Sequence, residues 1–140
     1  MNKPTILPNG IIIPSSTNFL ADVDKYVEEK LYGAHVDASI ITDIAISVSE
    51  LVNNAIIHGN GSNVEKQVEI NLTVSASELK ISVQDQGCGF DYDHLPDPID
   101  DQNLLREVGR GLFIVKNFVD DVKVLTTPSG GTRVEIVKKL

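Results

Sequence analysis

Glu50 and Asn54 stand four residues apart in DIAISVSELVNNAIIHGN, the stretch from Asp43 to Asn60, and a helix stacks residues at that spacing on one face. An asparagine amide oxygen is a hard ligand of the kind magnesium takes when phosphate and water complete its octahedron. A glutamate one turn earlier points to the same place and can take a proton from a hydroxyl or water that attacks a terminal phosphate. Asp43, Ser47 and His58 extend the stripe, and no Lys or Arg occurs between Lys30 and Lys66 to neutralise it. A merely solvated helix face ordinarily interleaves acids with bases, so this one suits a site that meets a cation or a proton. Two polar surface residues would have the same spacing, so that plainer alternative stays open.

Three more groupings could bear chemistry. Asp85 ends a strand-like run and is followed by Gly87 and Gly89, so the backbone can turn closely while the carboxylate accepts from the exocyclic amine of a base. Gly109, Arg110 and Gly111 precede a helical pattern, where free backbone N–H groups and the positive end of the helix dipole would hold phosphate. They are not a dinucleotide fingerprint, because Ile114 stands where the third glycine belongs, and the chain has no GxxxxGK[ST] loop. Gly130 and Gly131 lead into Thr132, whose hydroxyl would sit at the start of a strand. Taken singly, these are also a glycine turn, a helix entry and a hairpin turn. His35, His58 and His94 lack metal-ligand spacing, and Cys88 has no sign of an activated nucleophile beside it.

The elements that must position these groups follow from periodicity. Residues 5–13 read as one strand, confined to a sheet edge by Pro8 and Pro14. Phe19, Leu20, Val23, Tyr26, Val27 and Leu31 predict a first helix from Ser16 to about Tyr32, capped by Ser15, Ser16 or Thr17 and stopped by Gly33. Asp37 is the expected cap of the central helix, which buries Ile40, Ile41, Ile44, Ala45, Val48, Val52, Ala55 and Ile56 and closes at Gly59 and Gly61. The period then falls to two: Val68, Ile70, Leu72 and Val74, then Leu79, Ile81 and Val83, predict a hairpin with one buried face. The acidic, proline-bearing stretch from Asp85 to Asn103 has no period and reads as a lid. A third helix is expected just after Gly111, and Val122, Val124, Val134 and Ile136 predict a last strand pair. Strands in sequential hairpins imply an α+β two-layer sandwich with a mixed, mainly antiparallel sheet.

Composition narrows the function classes. At 140 residues the chain suits one domain, residues 1–140, with an ordinary 41% of hydrophobic residues. A net charge of −8 argues against nucleic acid and against an anionic membrane surface. The proline-cut start fits neither a signal peptide nor a spanning helix, and one cysteine excludes an internal disulfide, so a cytoplasmic protein is expected.

The four groupings occur in one order: E-x-x-x-N on a helix, D-x-G-x-G after a hairpin, G-x-G near a helix, then GGT. In that order the chain resembles the GHKL ATP-binding superfamily of gyrase, heat-shock chaperones, histidine kinases and mismatch-repair proteins. It is most similar to the small bacterial anti-sigma factor serine/threonine kinases. SELVNNAIIHGN resembles their N box, DQGCGFD their first glycine box, and GRGLFIVKNFVDDVKV and GGTRVEI their closing segments, so the likeness runs from about Ser16 to Val137.

The resemblance implies a Bergerat fold with three helices on one sheet face, and ATP and Mg2+ as cofactors. It also implies transfer of the γ-phosphate to an anti-anti-sigma partner of the STAS type, capture of a sigma factor, and compatibility with a homodimer. By the same resemblance Glu50 is the general base and Asn54 the metal ligand, with Asn53 and His58 lining the phosphates. Asp85 accepts from the adenine amine, Gly87 and Gly89 shape the adenine wall, and Thr132 supports Asp85 through its hydroxyl or a water. Gly109, Arg110 and Gly111 sit at the phosphates, and Arg106 or Arg110 reaches the terminal one. The expected protein has neither the phosphoacceptor helices of a complete histidine kinase nor a transducer domain. The alternatives are a nucleotide-gated interaction module without kinase activity and a plain structural domain.

Overall fold

The computed structural model describes residues 2–87 and 104–140, with side chains in the second range from Gly109 onward. Residues 88–103, with Gly89, Cys88, His94 and most of the expected lid, lie outside the described residues, as does the Arg106 side chain.

Residues 5–13 form two strands where one was expected. Thr5–Leu7 (β1) and Gly10–Pro14 (β2) make a hairpin, and Pro8 with Asn9 makes its turn, because proline pre-sets turn geometry and has no N–H to donate. Of these two strands β1 alone lies at an edge of the sheet, and β2 pairs onward with Gln67–Val74 (β3). A 3₁₀ turn at Thr17–Phe19 follows, and the Asn18 N–H donates to Ser16 Oγ at 3.2 Å.

The first helix, α1, is Leu20–Gly33. Gly33 is its last residue and not its stop. The left-handed position falls to His35, with φ of 60°, and two bonds of 3.0 Å close the end: Val36 N–H to the Leu31 carbonyl and His35 N–H to the Tyr32 carbonyl. A side chain at positive φ is strained where glycine is not. His35→Gly is therefore expected to raise stability by up to about 1 kcal/mol, the relieved strain exceeding glycine's greater unfolded-state entropy, and thermal unfolding will read it.

Asp37 caps the second helix, α2 (Ala38–Asn54), as expected: its Oδ1 accepts from the Ser39 hydroxyl at 2.7 Å and the Ser39 N–H at 2.9 Å. Those bonds, the hydroxyl's first, hold its carboxyl below the usual range. The helix is rich in β-branched residues, which cost up to about 0.7 kcal/mol each in propensity. Packing wins, because Ile44, Val48, Val52 and the following Ile56 are wholly buried, at about 1.5–3 kcal/mol each. The span Ala38–Gly59 is long and apolar enough to cross a membrane, yet half of its most apolar window is buried within the protein, as in a core helix. At Ala55–Gly59 the helix widens into a π turn, with the Asn60 N–H bonded to the Ala55 carbonyl at 2.8 Å.

Glu78–Gln84 (β4), Asp121–Thr126 (β5) and Thr132–Lys139 (β6) complete a six-stranded sheet in the order β1-β2-β3-β4-β6-β5, and every described pairing is antiparallel. Val68, Ile70, Leu79, Ile81, Val83 and Ile136 are buried on one face. On that side α2 lies between α1 and the third helix, α3 (Leu104–Phe118), giving the expected α+β two-layer sandwich. The third helix starts earlier than expected, so Gly109, Arg110 and Gly111 lie in its interior and not at its N-terminus.

Candidate functional site

The polar stripe of α2 is largely covered. Ser47 is fully buried, its hydroxyl bonded back to the Asp43 carbonyl at 2.9 Å, and Asn54 is 8% exposed. Glu50 and Asn53 are half-buried. At Gly111 α3 lies over Asn54 and Glu50: a methyl there would stand 2.9 Å from Asn54 Nδ2 and 3.2 Å from Glu50 Oε2. This corrects the role expected for the glycines at 109–111. Inside a helix their N–H groups are not free for phosphate in the way first-turn N–H groups are. Gly111 instead lets α3 lie against the Glu50 and Asn54 side chains, while Arg110 is exposed on the same helix.

The second half of the site is built on β4 and β6. Asp85 follows β4 and is 4% exposed. Its N–H donates to the Thr132 carbonyl at 2.9 Å, and its Oδ1 accepts from the Gly87 and Thr132 N–H groups, each at 3.0 Å. The bonds that join Thr132 to Asp85 among the described residues run through the Thr132 backbone, whereas the expectation was its hydroxyl or a water. Oδ2 makes no hydrogen bond among the described residues. Glycines surround the carboxylate at close range: a Cβ on Gly59 would strike the Asp85 side chain, one on Gly131 the Asp85 carbonyl, and one on Gly87 the Gly59 carbonyl.

Asn60 joins the two halves and was legible in the sequence only as a loop residue. It is 4% exposed, its Oδ1 accepts from the Gln86 N–H at 2.8 Å, and its Nδ2 donates to Ser15 Oγ at 2.7 Å and the Gln67 carbonyl at 3.0 Å. Ser15 Oγ in turn donates to the Lys66 carbonyl at 2.7 Å. His58 falls within the π turn at Ala55–Gly59 and is half-buried.

Asn54, Asp85, Leu112 and Thr132 meet around one small cleft between α2, α3 and the sheet, with a volume of about 10 Å³. That space holds roughly one water. Leu112, 6% exposed, is the residue by which α3 borders this cleft. Among the described residues no group of three His, Cys, Asp or Glu side chains converges to hold a metal. The Asn54 amide oxygen and the Glu50 carboxylate are hard oxygen donors of the kind magnesium takes.

Residues 13–138 match the histidine kinase-like ATPase domain family. Anti-sigma F factors of Bacillus thuringiensis and Bacillus mycoides are each 34% identical over 124 residues, covering 87% of this chain and 77% of theirs. A crystal structure of the RsbU and RsbW domains of a Mycobacterium tuberculosis protein superposes with a TM-score of 0.67 at 22% identity, over 91% of this chain and 31% of that one. The mycobacterial sensor histidine kinase MprB gives 0.54 at 19% identity, over 71% of each chain. At those identities the two structures speak to the fold.

Proposed function

The chain belongs to the GHKL family of histidine kinase-like ATPases, beside the anti-sigma factors, and from that premise we propose that it is an ATP-dependent serine/threonine protein kinase acting as a cytoplasmic anti-sigma factor. Residues 1–140 would work as one ATP-binding unit that transfers the γ-phosphate to an anti-anti-sigma protein and, in another state, holds a sigma factor. The observation that carries this reading is the convergence of Glu50 and Asn54 at Gly111, across one cleft from the buried Asp85.

Each residue then has a task. Asp85 Oδ2 accepts from the adenine amine, and guanine would turn a carbonyl oxygen toward the same carboxylate. Gly59, Gly87 and Gly131 let the surrounding backbone close around that carboxylate and hold it in place. The Asn54 amide oxygen would hold Mg2+ at the phosphates. The metal supplies positive charge against the phosphate oxygens, and Arg110 or Arg106 adds to it at the terminal phosphate. Glu50 takes the proton from the partner's serine or threonine hydroxyl as that oxygen attacks the γ-phosphorus, whose bond to the β–γ bridging oxygen breaks to release ADP.

ATP with Mg2+ is expected to raise the melting temperature. At a hundredfold excess over Kd, binding adds about 2.7 kcal/mol, a rise on the order of 10 °C for a domain of this size. Labelled ATP incubated with candidate partners should then label a serine or threonine. No thermal shift would overturn the nucleotide reading, and a shift without transfer would overturn the kinase reading. The closed cleft favours one second reading, a nucleotide-gated interaction module in which displacement of α3 alone controls a partner. Under it, Glu50→Ala would capture the partner with unchanged ATP dependence.

Gly111 gives a separate prediction. In Gly111→Ala the helix gains about 1 kcal/mol of propensity, which offsets the small shifts the methyl demands of two side-chain ends. Stability should change by less than about 1 kcal/mol, while ATP affinity and transfer both fall because Asn54 and Glu50 are displaced. Calorimetric titration and thermal unfolding of the same sample separate the two effects.

A further inference from the structure

The sheet face turned away from the helices carries a cavity of about 280 Å³. Strand register sets its floor: Asn71 stands beside Ser82, Ser82 beside Glu135, and Glu135 beside Lys123, so one row crosses β3, β4, β6 and β5. Serine is the small member at the centre, and the longer Lys80, Arg133 and Glu135 also line the hollow. Ser82 is only 5% exposed, and its hydroxyl is buried with no hydrogen-bond partner. Such groups are rare in native proteins, because a buried hydroxyl without a partner has given up water for nothing.

The charges above the floor are unequally matched. Lys80 lies 3.5 Å from Glu78, and Arg133 uses its Nε on Glu135 at 2.8 Å. The terminal nitrogens of Arg133 and the Lys123 ammonium have no acidic partner among the described residues. On a chain of net charge −8, two cations with spare donors thus overlook an unpartnered hydroxyl. Asp121 and Glu135 also border the cavity, so a bare dianion fits less well than an anion that brings its own hydroxyl or amine. The volume is just below the usual range for small-molecule pockets, which suits a metabolite and not a nucleotide or a peptide.

We propose that this outer-face cavity binds a small organic anion bearing a hydroxyl or amine. Its carboxylate or phosphate oxygens lie between Lys123 and Arg133 and accept from Ser82, and its own donor faces Glu135 or Asp121. The site is separate from the cleft at Asp85, because Ser82 faces the opposite side of β4 from Val83, which borders that cleft.

The test uses the full chain labelled with ¹⁵N, titrated at constant ionic strength with L-malate and, separately, with glycerol 3-phosphate. At least one probe should give saturable amide shifts at positions 71–73, 80–82, 123 and 133–136, and which probe does so separates carboxylate from phosphate recognition. Ser82→Val and Lys123→Gln should each weaken that binding by about tenfold, the loss expected for one charge-assisted hydrogen bond. Lys123 is exposed, so its variant decides the matter if Ser82→Val does not fold. The proposal is overturned if neither probe gives saturable shifts there, if both variants bind as the unaltered chain does, or if glycerol 3-phosphate shifts only residues around Asn54 and Asp85.

Discussion

Glu50→Ala is expected to bind ATP with unchanged affinity and to transfer its phosphate roughly 10²-fold to 10⁴-fold more slowly, the usual loss on removing a general base. The carboxylate is half-buried on α2, one turn before Asn54, and α3 lies close against both side chains at Gly111. Removing it leaves the Asp85 end of the cleft and the Asn54 amide intact, so base and metal contacts persist. Asn54→Ala should show the opposite division, with magnesium-dependent ATP binding lost first and transfer lost because of it. Single-turnover transfer at saturating ATP, set beside calorimetric affinity, separates the two. If Glu50→Ala lost affinity and rate together, Glu50 would be shaping the cleft and not moving a proton. Glu50→Gln sharpens the test, since it keeps the size and polarity and removes only the basicity.

How much of this was legible in the chain depends on the range of the physics. The core stripe of α2, its Asp37 cap and the alternating strands β3 and β4 follow from local periodicity, and the structure reproduces them. Asp85 and Thr132 stand out in the sequence by their glycine neighbours, whereas the backbone bond between them has no local signal. Local reading failed where a distant contact decided the matter. Glycines at 109 and 111 look like a helix start because glycine weakens helix interiors. Here α3 runs through them, and at Gly111 the missing side chain lets it lie against Asn54 and Glu50 without displacing them. Asn60 has no period to betray it, as its partners lie 26 and 45 residues away at Gln86 and Ser15. The first hairpin was missed because Ile11, Ile12 and Ile13 extended the apolar pattern past Pro8 and Asn9, hiding a turn whose residues were in plain view. The stop of α1 was assigned to Gly33 on residue type, whereas the chain reached its left-handed residue only at His35.

Asp85→Asn is expected to weaken ATP binding roughly tenfold to a hundredfold, the equivalent of about 1.5–3 kcal/mol for one hydrogen bond to a charged group. The two carboxylate oxygens have different work, which makes this substitution unusually clean. Oδ1 accepts from the Gly87 and Thr132 N–H groups, and an asparagine oxygen in its place keeps both bonds. Oδ2 faces Gly59 and has no bond among the described residues, so an amide nitrogen there changes only what a ligand meets. Adenine would then bring a donor against a donor, while guanine would bring an acceptor. The preference for ATP over GTP should narrow as ATP affinity falls, and the melting temperature without nucleotide should stay nearly constant. Calorimetry with both nucleotides tests the first expectation and thermal unfolding the second. Unchanged ATP affinity would remove Asp85 from the base contact. A melting temperature lower by many degrees would mean that the negative charge, and not the geometry of Oδ1, holds the Gln86–Gly87 backbone against β6.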